Sequence, residues 1–303
     1  MPPGRAQTIF FTWHQPYAVF AQARLRIQSR KCRGDLNSHE LARNARISAL
    51  QMVASAKASH IGSCLSMIDI LAVLYSGIVD IDPLHPASAD RDLVIVSKGH
   101  AAAGLYSILA HKGYFPVSDL QTFCENGSPL FGHVTSGKVP GVEFSTGSLG
   151  HGLAYASGLA LIAKIKQSPR KHFVLMSDGE CNEGSVWESV LFAAHHELGN
   201  LTAIVDRNRQ QSFGSTETTL RLEPFAEKWR SFGWEVQEID GHNHFELHAA
   251  LTASTSDSPK IVIANTTKGK GVSFMENQVK WHYSYPNPLE LELALAELED
   301  HIA

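Results

Sequence analysis

An aspartate and an asparagine each follow an apolar run of the chain, and both side chains carry oxygen atoms that bind hard cations. Asp178 follows the run 173–176, and Asn208 follows the run 201–206. A carboxylate and an amide at the ends of neighbouring parallel strands lie at one edge of a sheet, where Mg²⁺ or Ca²⁺ finds two oxygen ligands. Gly179 leaves room for a phosphate to approach the backbone. The pattern predicts a site for a divalent ion that carries a diphosphate.

The interval between these residues makes the pattern specific. Asp-Gly after a strand is a common turn, and Asn is common in loops. Here the interval holds one amphipathic helix and then a strand, and the helix carries the apolar residues Val186, Val190, Leu191, Ala194 and Leu198. The arrangement resembles the thiamine diphosphate motif of the transketolase family. The resemblance implies that Asp178, Asn208 and the backbone carbonyl of Gln210 bind the metal, and that Gly179, Glu180 and Asn208 contact the cofactor.

Two residues depart from the family pattern. Ser177 stands where the family usually has Gly, and Arg207 stands where it has a second Asp or Asn. Neither is a metal-ligand position in the resemblance, so the expected metal site is unchanged.

Four histidine-containing segments resemble other motifs of the same family, and they occur in family order. They are 59–62 with His60, 97–101 with His100, 131–133 with His133, and 268–272 followed by Trp281 and His282. The resemblance implies that these four histidines surround the thiazolium face and the sugar, bind substrate hydroxyls and move protons. His100 is also expected to contact the cofactor. The segment after His282, Tyr283-Ser284-Tyr285, differs from the small and basic residues usual there.

A glycine-rich segment resembles the diphosphate-binding segment of the family, and it comprises Gly147, Ser148, Leu149, Gly150, His151 and Gly152. Gly150 and Gly152 leave space for phosphate oxygens at a helix N-terminus, where N–H groups and the helix dipole favour anions. The spacing is neither the dinucleotide fingerprint nor the Walker pattern. Glu183 either caps the following helix or, by the resemblance, contacts the cofactor near a subunit contact that connects paired active sites.

The order of apolar runs predicts an α/β protein with a parallel sheet and helices on both faces. The family resemblance implies that this is a thiamine diphosphate-binding fold. Expected helices cover 38–58 (capped by Ser38), 66–75, 101–111, 149–166 and 245–252, and expected strands cover 93–96, 173–176, 201–206, 234–239 and 261–264. The stretch 127–152 is expected to be a long loop anchored by Leu130, Phe131, Val139 and Val142. The expected domains are an N-terminal extension over 1–36, helical over 17–30, and one α/β domain over 37–303. A targeting segment at the N-terminus is an open alternative.

Composition excludes several classes of function. The net charge of −4 over 303 residues gives no basic field for nucleic acid. We expect no membrane span, because the sequence has no run of about eighteen apolar residues. The four cysteines are widely spaced and form no Cys-x-x-Cys pair, which favours reduced thiols in a cytoplasmic protein.

The resemblance covers the N-terminal half of a transketolase, so the expected protein is one subunit of a two-chain enzyme. A separate C-terminal chain would supply the pyrimidine-binding domain and the activating glutamate, in an α2β2 assembly that moves a two-carbon ketol group between sugar phosphates. One alternative is a transketolase-like enzyme for a branched, sulfonated or specialised-metabolite substrate. Another is a non-catalytic assembly subunit, which the intact Asp178 and Asn208 disfavour.

Two further enzyme classes share single features with this chain. A 2-oxoacid dehydrogenase alpha chain shares the metal motif, but segments 198–201 and 268–271 argue against it. A metal-only hydrolase lacks the histidine and carboxylate spacing that such sites need.

Overall fold

Five parallel strands form one sheet in a computed structural model that describes residues 37–253 and 257–300. The expected extension over 1–36, with its helix over 17–30, lies outside the described residues. The strand order is β1-β2-β3-β5-β4. The strands are β1 (Leu93–Val96), β2 (His172–Ser177), β3 (Leu201–Arg207), β4 (Glu235–Asp240) and β5 (Lys260–Asn265). All four pairings are parallel, as the alternation of the sequence predicts.

Helices cover both faces of this sheet, because alternate residues of the strands point to opposite sides and are apolar on each. The helices are α1 (Ser38–Ala56), α2 (Ile61–Val73), α3 (Ala102–His111), α4 (Gly152–Ile165), α5 (Gly184–His195), α6 (Thr216–Thr219), α7 (Phe225–Ser231), α8 (His244–Thr252) and α9 (Pro288–Asp300). On one face, α1, α2, α3, α8 and α9 form one apolar cluster with strand residues such as Val94 and Ile204. On the other, α4, α5 and α7 pack against Val174 and Val205.

Two helix starts differ from the sequence expectation. The side chain of Asn37, not Ser38, caps α1 by accepting the Glu40 N–H at 2.9 Å. Helix α2 begins at Ile61 rather than Ser66, directly after His60, whose backbone is left-handed with φ 75°. Every residue of α2 is buried, so helix periodicity could not be read from alternating polar and apolar positions.

The burial of α2 also explains why its composition resembles that of a membrane span. The helical stretch Ile61–Ile78 is long and apolar enough to cross a membrane by length and composition alone. However, 83% of it is buried inside the protein. The stretch therefore owes its composition to packing in the core between α1 and α3.

The long loop over 127–152 runs across the carboxyl-end side of β1 and is anchored largely as expected. Leu130, Val139 and Val142 are buried, whereas Phe131 is 41% exposed and does not serve as an anchor. The loop returns to the sheet at Thr146, whose hydroxyl donates to the Val96 carbonyl at 2.7 Å. This contact brings the glycine segment beside the end of β1.

His172 at the start of β2 is a buried histidine that has no hydrogen-bond partner on either ring nitrogen within the described residues. Burial first, and then Arg170, lower the pKa of the imidazole to about 4. The Asn200 backbone partly opposes this shift. The unfolded chain therefore binds more protons than the folded chain between about pH 6.5 and pH 4, so acid destabilises the fold here.

We predict that His172→Phe flattens the acid dependence of stability. Phenylalanine fills the site without a group to protonate, so the slope of unfolding free energy against pH between 6.5 and 4 should fall by at most about 1.4 kcal/mol per pH unit. Urea unfolding of both proteins at several pH values measures this slope. An unchanged slope would mean that His172 does not contribute to acid sensitivity.

Candidate active site

The pairing of β2 with β3 brings Asp178 and Asn208 to the same edge of the sheet. Ser177 lies opposite Asp206, and Asp178 and Asn208 directly follow the last residues of β2 and β3. Asp178 is buried, and its carboxylate accepts the N–H of Gly179 at 2.7 Å and of Arg209 at 2.5 Å. Asn208 is also buried. The predicted juxtaposition of carboxylate and amide is present.

The expected carbonyl ligand lies beside the amide. The Asn208 Oδ1 accepts the Gln210 N–H at 3.1 Å, which bends the chain so that the two residues share one turn. Carboxylate, amide and carbonyl oxygens together are the donor set that Mg²⁺ or Ca²⁺ takes when phosphate oxygens complete the shell. Within the described residues, no group of three or more His, Cys, Asp or Glu side chains could hold a metal ion. A metal at this edge would therefore depend on the mixed oxygen set.

The charge around Asp178 favours an added cation. Burial first, and then the nearby Asp206, raise the pKa of the Asp178 carboxyl to about 6, and Arg207 only partly opposes this. The raised pKa means that the positive charge near this buried carboxylate does not offset the loss of water. A divalent ion would supply the missing charge, so the residues fit the metal that the sequence predicts.

Arg207, which departs from the family pattern, is buried beside Asp178. Its side chain is 2% exposed, with Nη1 3.4 Å from the Asp178 Oδ2. Its Nη2 donates to Glu223 at 2.9 Å, and its guanidinium lies 5.2 Å from the Phe225 ring centre. Arg207 ties the end of β3 to the segment that leads into α7.

A buried ion pair between Lys98 and Asp206 connects the ends of β1 and β3. Both side chains are fully buried, and the Lys98 ammonium donates to the Asp206 carboxylate and to the Ser63 carbonyl. The hydroxyls of Ser66 and Thr266 donate to the same carboxylate. Although burial alone would raise the pKa of Asp206, the Lys98 ammonium holds it below its usual value. Sequence reasoning missed this pair, although a carboxylate inside the apolar run 201–206 was a signal.

The four histidines predicted to be catalytic lie together. The ring centre of His60 is 5.0 Å from His282, 5.2 Å from His100 and 5.9 Å from His133. His100 and His282 are 5.9 Å apart. The His60 N–H donates to the His282 carbonyl at 2.9 Å, which joins the start of α2 to the turn Val279–His282. We call these four residues the histidine group.

Three members of the histidine group are neutral at neutral pH. Burial is the main cause for each, and it lowers the pKa of His60 to about 4 and of His282 to about 3. Burial and Lys98 hold the pKa of His100 well below its usual value. Neutral imidazoles accept protons on one nitrogen and donate a hydrogen bond from the other, which suits proton transfer to and from sugar hydroxyls.

Lys268 joins the histidine group to the expected metal loop. Its ammonium lies 3.1 Å from the His282 Nδ1 and 3.4 Å from the carbonyl oxygens of Gln210 and Gln211. Burial first, and then Lys98, lower the pKa of Lys268 to about 8, which leaves it mostly protonated at neutral pH. The ammonium therefore donates to Nδ1, and the ring proton of His282 resides on Nε2. The sequence signal was the segment 268–272, in which this lysine received no role of its own.

The glycine segment is held by Glu180 in a way that the sequence did not predict. Glu180 is fully buried, and its carboxylate accepts the N–H of Gly150 at 2.9 Å and the hydroxyl of Ser97. The Gly152 N–H donates to the same hydroxyl at 3.1 Å. Both glycine N–H groups are thus bonded within the protein, and Glu180 positions the segment from behind. A Cβ on Gly152 would clash with the side chain of Ser97, so the close approach requires glycine.

The remaining predicted residues flank the same region. A Cβ on Gly147 would lie 3.0 Å from the His133 ring, which places the glycine segment against the histidine group. Ser148 and His151 are exposed, and Leu149 and Gly179 are partly buried. Glu183 occupies the position before α5 without a side-chain capping bond.

Comparison with known proteins identifies the family. Residues 37–292 match the family described as transketolase, thiamine diphosphate binding domain. A subunit of the apulose-4-phosphate transketolase of Actinobacillus succinogenes is 45% identical over 242 residues, which cover 80% of this chain and 88% of that protein. The 6-deoxy-6-sulfo-D-fructose transketolase subunit SqwG of Clostridium sp. is 38% identical over 82% of this chain and 92% of that protein.

Solved structures support the same conclusion. The transketolase of Campylobacter jejuni is 31% identical with a TM-score of 0.82, and the match covers 88% of this chain and 43% of that one. This chain therefore spans about two-fifths of that transketolase chain, but nearly the whole of the two transketolase subunits named above. The chain belongs to the transketolase family, and residues 37–292 are its thiamine diphosphate binding domain.

Proposed function

We propose that this chain holds the diphosphate, the metal and several proton-transfer groups of an enzyme that moves a two-carbon ketol group between sugar phosphates. The observation that carries the proposal is the position of Lys268. Its ammonium contacts both the histidine group, at His282, and the carbonyl of Gln210 beside Asn208. The expected metal loop and the expected substrate groups therefore form one site.

Asp178, Asn208 and the Gln210 carbonyl would hold Mg²⁺, and the residues of the glycine segment would lie beside the diphosphate. When bound, thiamine diphosphate stabilises the carbanion that forms when the bond beside a ketose carbonyl breaks. The ammonium groups of Lys98 and Lys268 add positive charge to the region that would receive the anionic diphosphate. Calcium would fit the same oxygen ligands, because the site offers few fixed protein ligands.

The histidine group would bind and move protons at the sugar hydroxyls. Neutral His60, His100 and His282 each offer one acceptor and one donor nitrogen, and His133 lies at the exposed side of the group. The Lys268 ammonium occupies the Nδ1 of His282, so its Nε2–H is the atom left to donate to a substrate oxygen. Losing one such acid–base group typically costs about 10²–10⁴-fold in rate.

A partner chain of the C-terminal type would supply the pyrimidine-binding domain and the activating glutamate. The relatives from Actinobacillus succinogenes and Phocaeicola vulgatus are named as single subunits of a transketolase, which supports a two-chain enzyme. An α2β2 assembly would place the cofactor between unlike chains, and Glu183 before α5 would lie near the contact between paired sites. The three described cysteines, Cys64, Cys124 and Cys181, are free, which supports the expected cytoplasmic location.

A non-standard sugar is the second candidate for the substrate, and two observations favour it. The relatives at 45% and 38% identity are named for apulose-4-phosphate and for 6-deoxy-6-sulfo-D-fructose. In this chain, Tyr283 is 56% exposed and its ring centre lies 4.8 Å from His282, where the resemblance led us to expect small and basic residues. An aromatic side chain beside His282 would change which sugars bind, according to the groups at the end distant from the reacting carbonyl.

We predict that the purified chain transfers no ketol group alone and gains activity when a C-terminal-type subunit is added. The enzyme needs a diphosphate-binding and a pyrimidine-binding domain, and residues 37–292 account only for the first. A coupled assay with and without the partner tests this, with several ketose donors including branched and sulfonated ones. Activity of the chain without a partner would refute the split-subunit proposal.

We predict that Asp178→Ala and Asn208→Ala abolish metal-dependent binding of thiamine diphosphate by the assembled enzyme. Removal of either oxygen ligand leaves the diphosphate charge poorly neutralised. Calorimetry with thiamine diphosphate and Mg²⁺ measures the loss. Asp92→Ala is the matched control, because Asp92 is also a buried carboxylate that accepts two backbone N–H groups, of Asp80 and Lys171, at the opposite end of the strands.

Two outcomes of this calorimetry would count against the proposal. Unchanged affinity in both site variants would reject the metal assignment. Absence of cofactor binding by the unaltered assembly would instead favour the non-catalytic subunit.

We predict that His100→Ala and His133→Ala lower kcat by about 10²–10⁴-fold and weaken cofactor affinity less than they lower turnover. Their expected contacts are to substrate rather than to the diphosphate-bound metal. Steady-state kinetics at saturating cofactor measures kcat, and His248→Ala on the exposed side of α8 is the control. If cofactor affinity collapses while kcat stays normal, the histidines bind cofactor instead of serving proton transfer.

A further inference from the structure

A second cluster of charged and histidine side chains lies behind the candidate site, around the buried carboxylate of Asp69 on α2. Arg46 on α1 donates to both carboxylate oxygens, at 3.0 and 2.6 Å. His242, after β4, lies 2.7 Å from one oxygen, and His244, at the start of α8, lies 3.1 Å from the other. Although burial alone would raise the pKa of Asp69, the Arg46 guanidinium holds it well below its usual value. We call these four residues the Asp69 network.

The contacts of His242 fix its tautomer. The backbone N–H of Thr267 donates to the His242 Nε2 at 2.8 Å, so this nitrogen carries no proton. The proton of the neutral ring is therefore on Nδ1, where it is donated to the Asp69 carboxylate. A buried carboxylate thus orients an imidazole whose other nitrogen holds a backbone group.

The Asp69 network holds the backbone on both sides of Lys268. His242 binds the N–H of Thr267, one residue before it, and the Arg46 Nε donates to the carbonyl of Lys270, two residues after it, at 3.3 Å. Between these points, the Gly269 N–H donates to the Gly62 carbonyl at 3.0 Å. The backbone from Thr267 to Lys270 is therefore fixed at three places, and the Lys268 side chain leaves it toward His282.

We propose that His242, oriented by Asp69, is a positioning residue that fixes Thr267 so that Lys268 holds His282 in its Nε2-protonated tautomer. The meaning of this for catalysis rests on the proposed function, but the tautomer itself is a property of the chain alone. His244 offers a matched control. It binds the same carboxylate, and its other nitrogen lies 2.8 Å from the Ser38 hydroxyl rather than on the Lys268 segment.

The ring ¹⁵N shifts of His282 test the proposal on the full chain without cofactor, metal or partner. His282→Asn assigns the signals. In the unaltered chain, Nδ1 should show the shift of an unprotonated, hydrogen-bonded nitrogen, and Nε2 that of a protonated one. His242→Phe should move these signals toward a mixture of tautomers, whereas His244→Phe should leave them in place. Movement in both variants, or in neither, would overturn the proposal.

His242→Gln separates positioning from simple loss of fold. The Gln side chain can donate to Asp69 and accept from Thr267, so it should restore the His282 signals at least in part. Urea unfolding of all three variants reports their stability. If His242→Phe does not fold, His242→Gln still tests the proposal. His282 ring ¹⁵N signals shifted as far as in a denatured chain would overturn the proposal, and signals near those of the unaltered chain would support it.

Turnover of the assembled enzyme gives the functional arm. His242→Phe should lower kcat between about 10-fold and 100-fold, the range that small misplacement of catalytic groups causes, with cofactor affinity unchanged. His244→Phe should stay within about twofold. A shifted His282 tautomer with normal kcat would overturn the role of His242 in turnover. If the ¹⁵N shifts are as expected but the assembled enzyme transfers no ketol group, the proposed function is wrong instead.

Discussion

The candidate site depends on one ion pair that has no contact with water, between Lys98 and Asp206. Moving both charges out of water is costly, so the pair is favourable only because Ser66, Thr266 and the Ser63 carbonyl satisfy the remaining hydrogen-bonding positions. Removing one partner of such a pair typically costs about 3–5 kcal/mol. The loop after β1, the end of β3 and the start of α2 are therefore held in one arrangement.

This arrangement produces an uneven distribution of charge at the sheet edge. Two ammonium groups, of Lys98 and Lys268, lie near the histidine group. His100 and His282 are neutral, because burial and these ammonium groups disfavour the protonated imidazole. A few residues away, the Asp178 carboxyl has a raised pKa because burial and Asp206 disfavour its charge. One part of the site thus favours an anion and another favours a cation, which suits a diphosphate that arrives with a metal ion.

The sequence predicted the features that depend on local pattern. Apolar runs followed by Asp178 and Asn208 predicted the parallel strands and the shared edge, since the apolar runs and the alternation of strands with helices can be read along the chain. The predicted start of α2, at Ser66, was wrong. A left-handed residue before a helix is usually Gly or Asn, and here it is His60. The ion pair of Lys98 with Asp206 joins residues 108 positions apart, and only the register of β1, β2 and β3 brings them together. Glu180 was expected to contact the cofactor. Its carboxylate accepts hydrogen bonds from Gly150 and Ser97, and sequence periodicity does not predict the course of the loop that allows this.

The strand order has a consequence for how the protein acquires its ligand affinity. Four strands deliver a residue to the site from their carboxyl ends, since Lys98, Asp178, Asn208 and Lys268 follow β1, β2, β3 and β5, and the positioning residue His242 follows β4. No single strand supplies more than a fragment of the site. A partly folded chain therefore lacks some of the residues that would bind the cofactor. Ligand binding then adds free energy only to the completely folded state, by mass action. Binding of the cofactor should make unfolding more cooperative, since it penalises intermediates in which β1, β2, β3 or β5 has separated from the sheet.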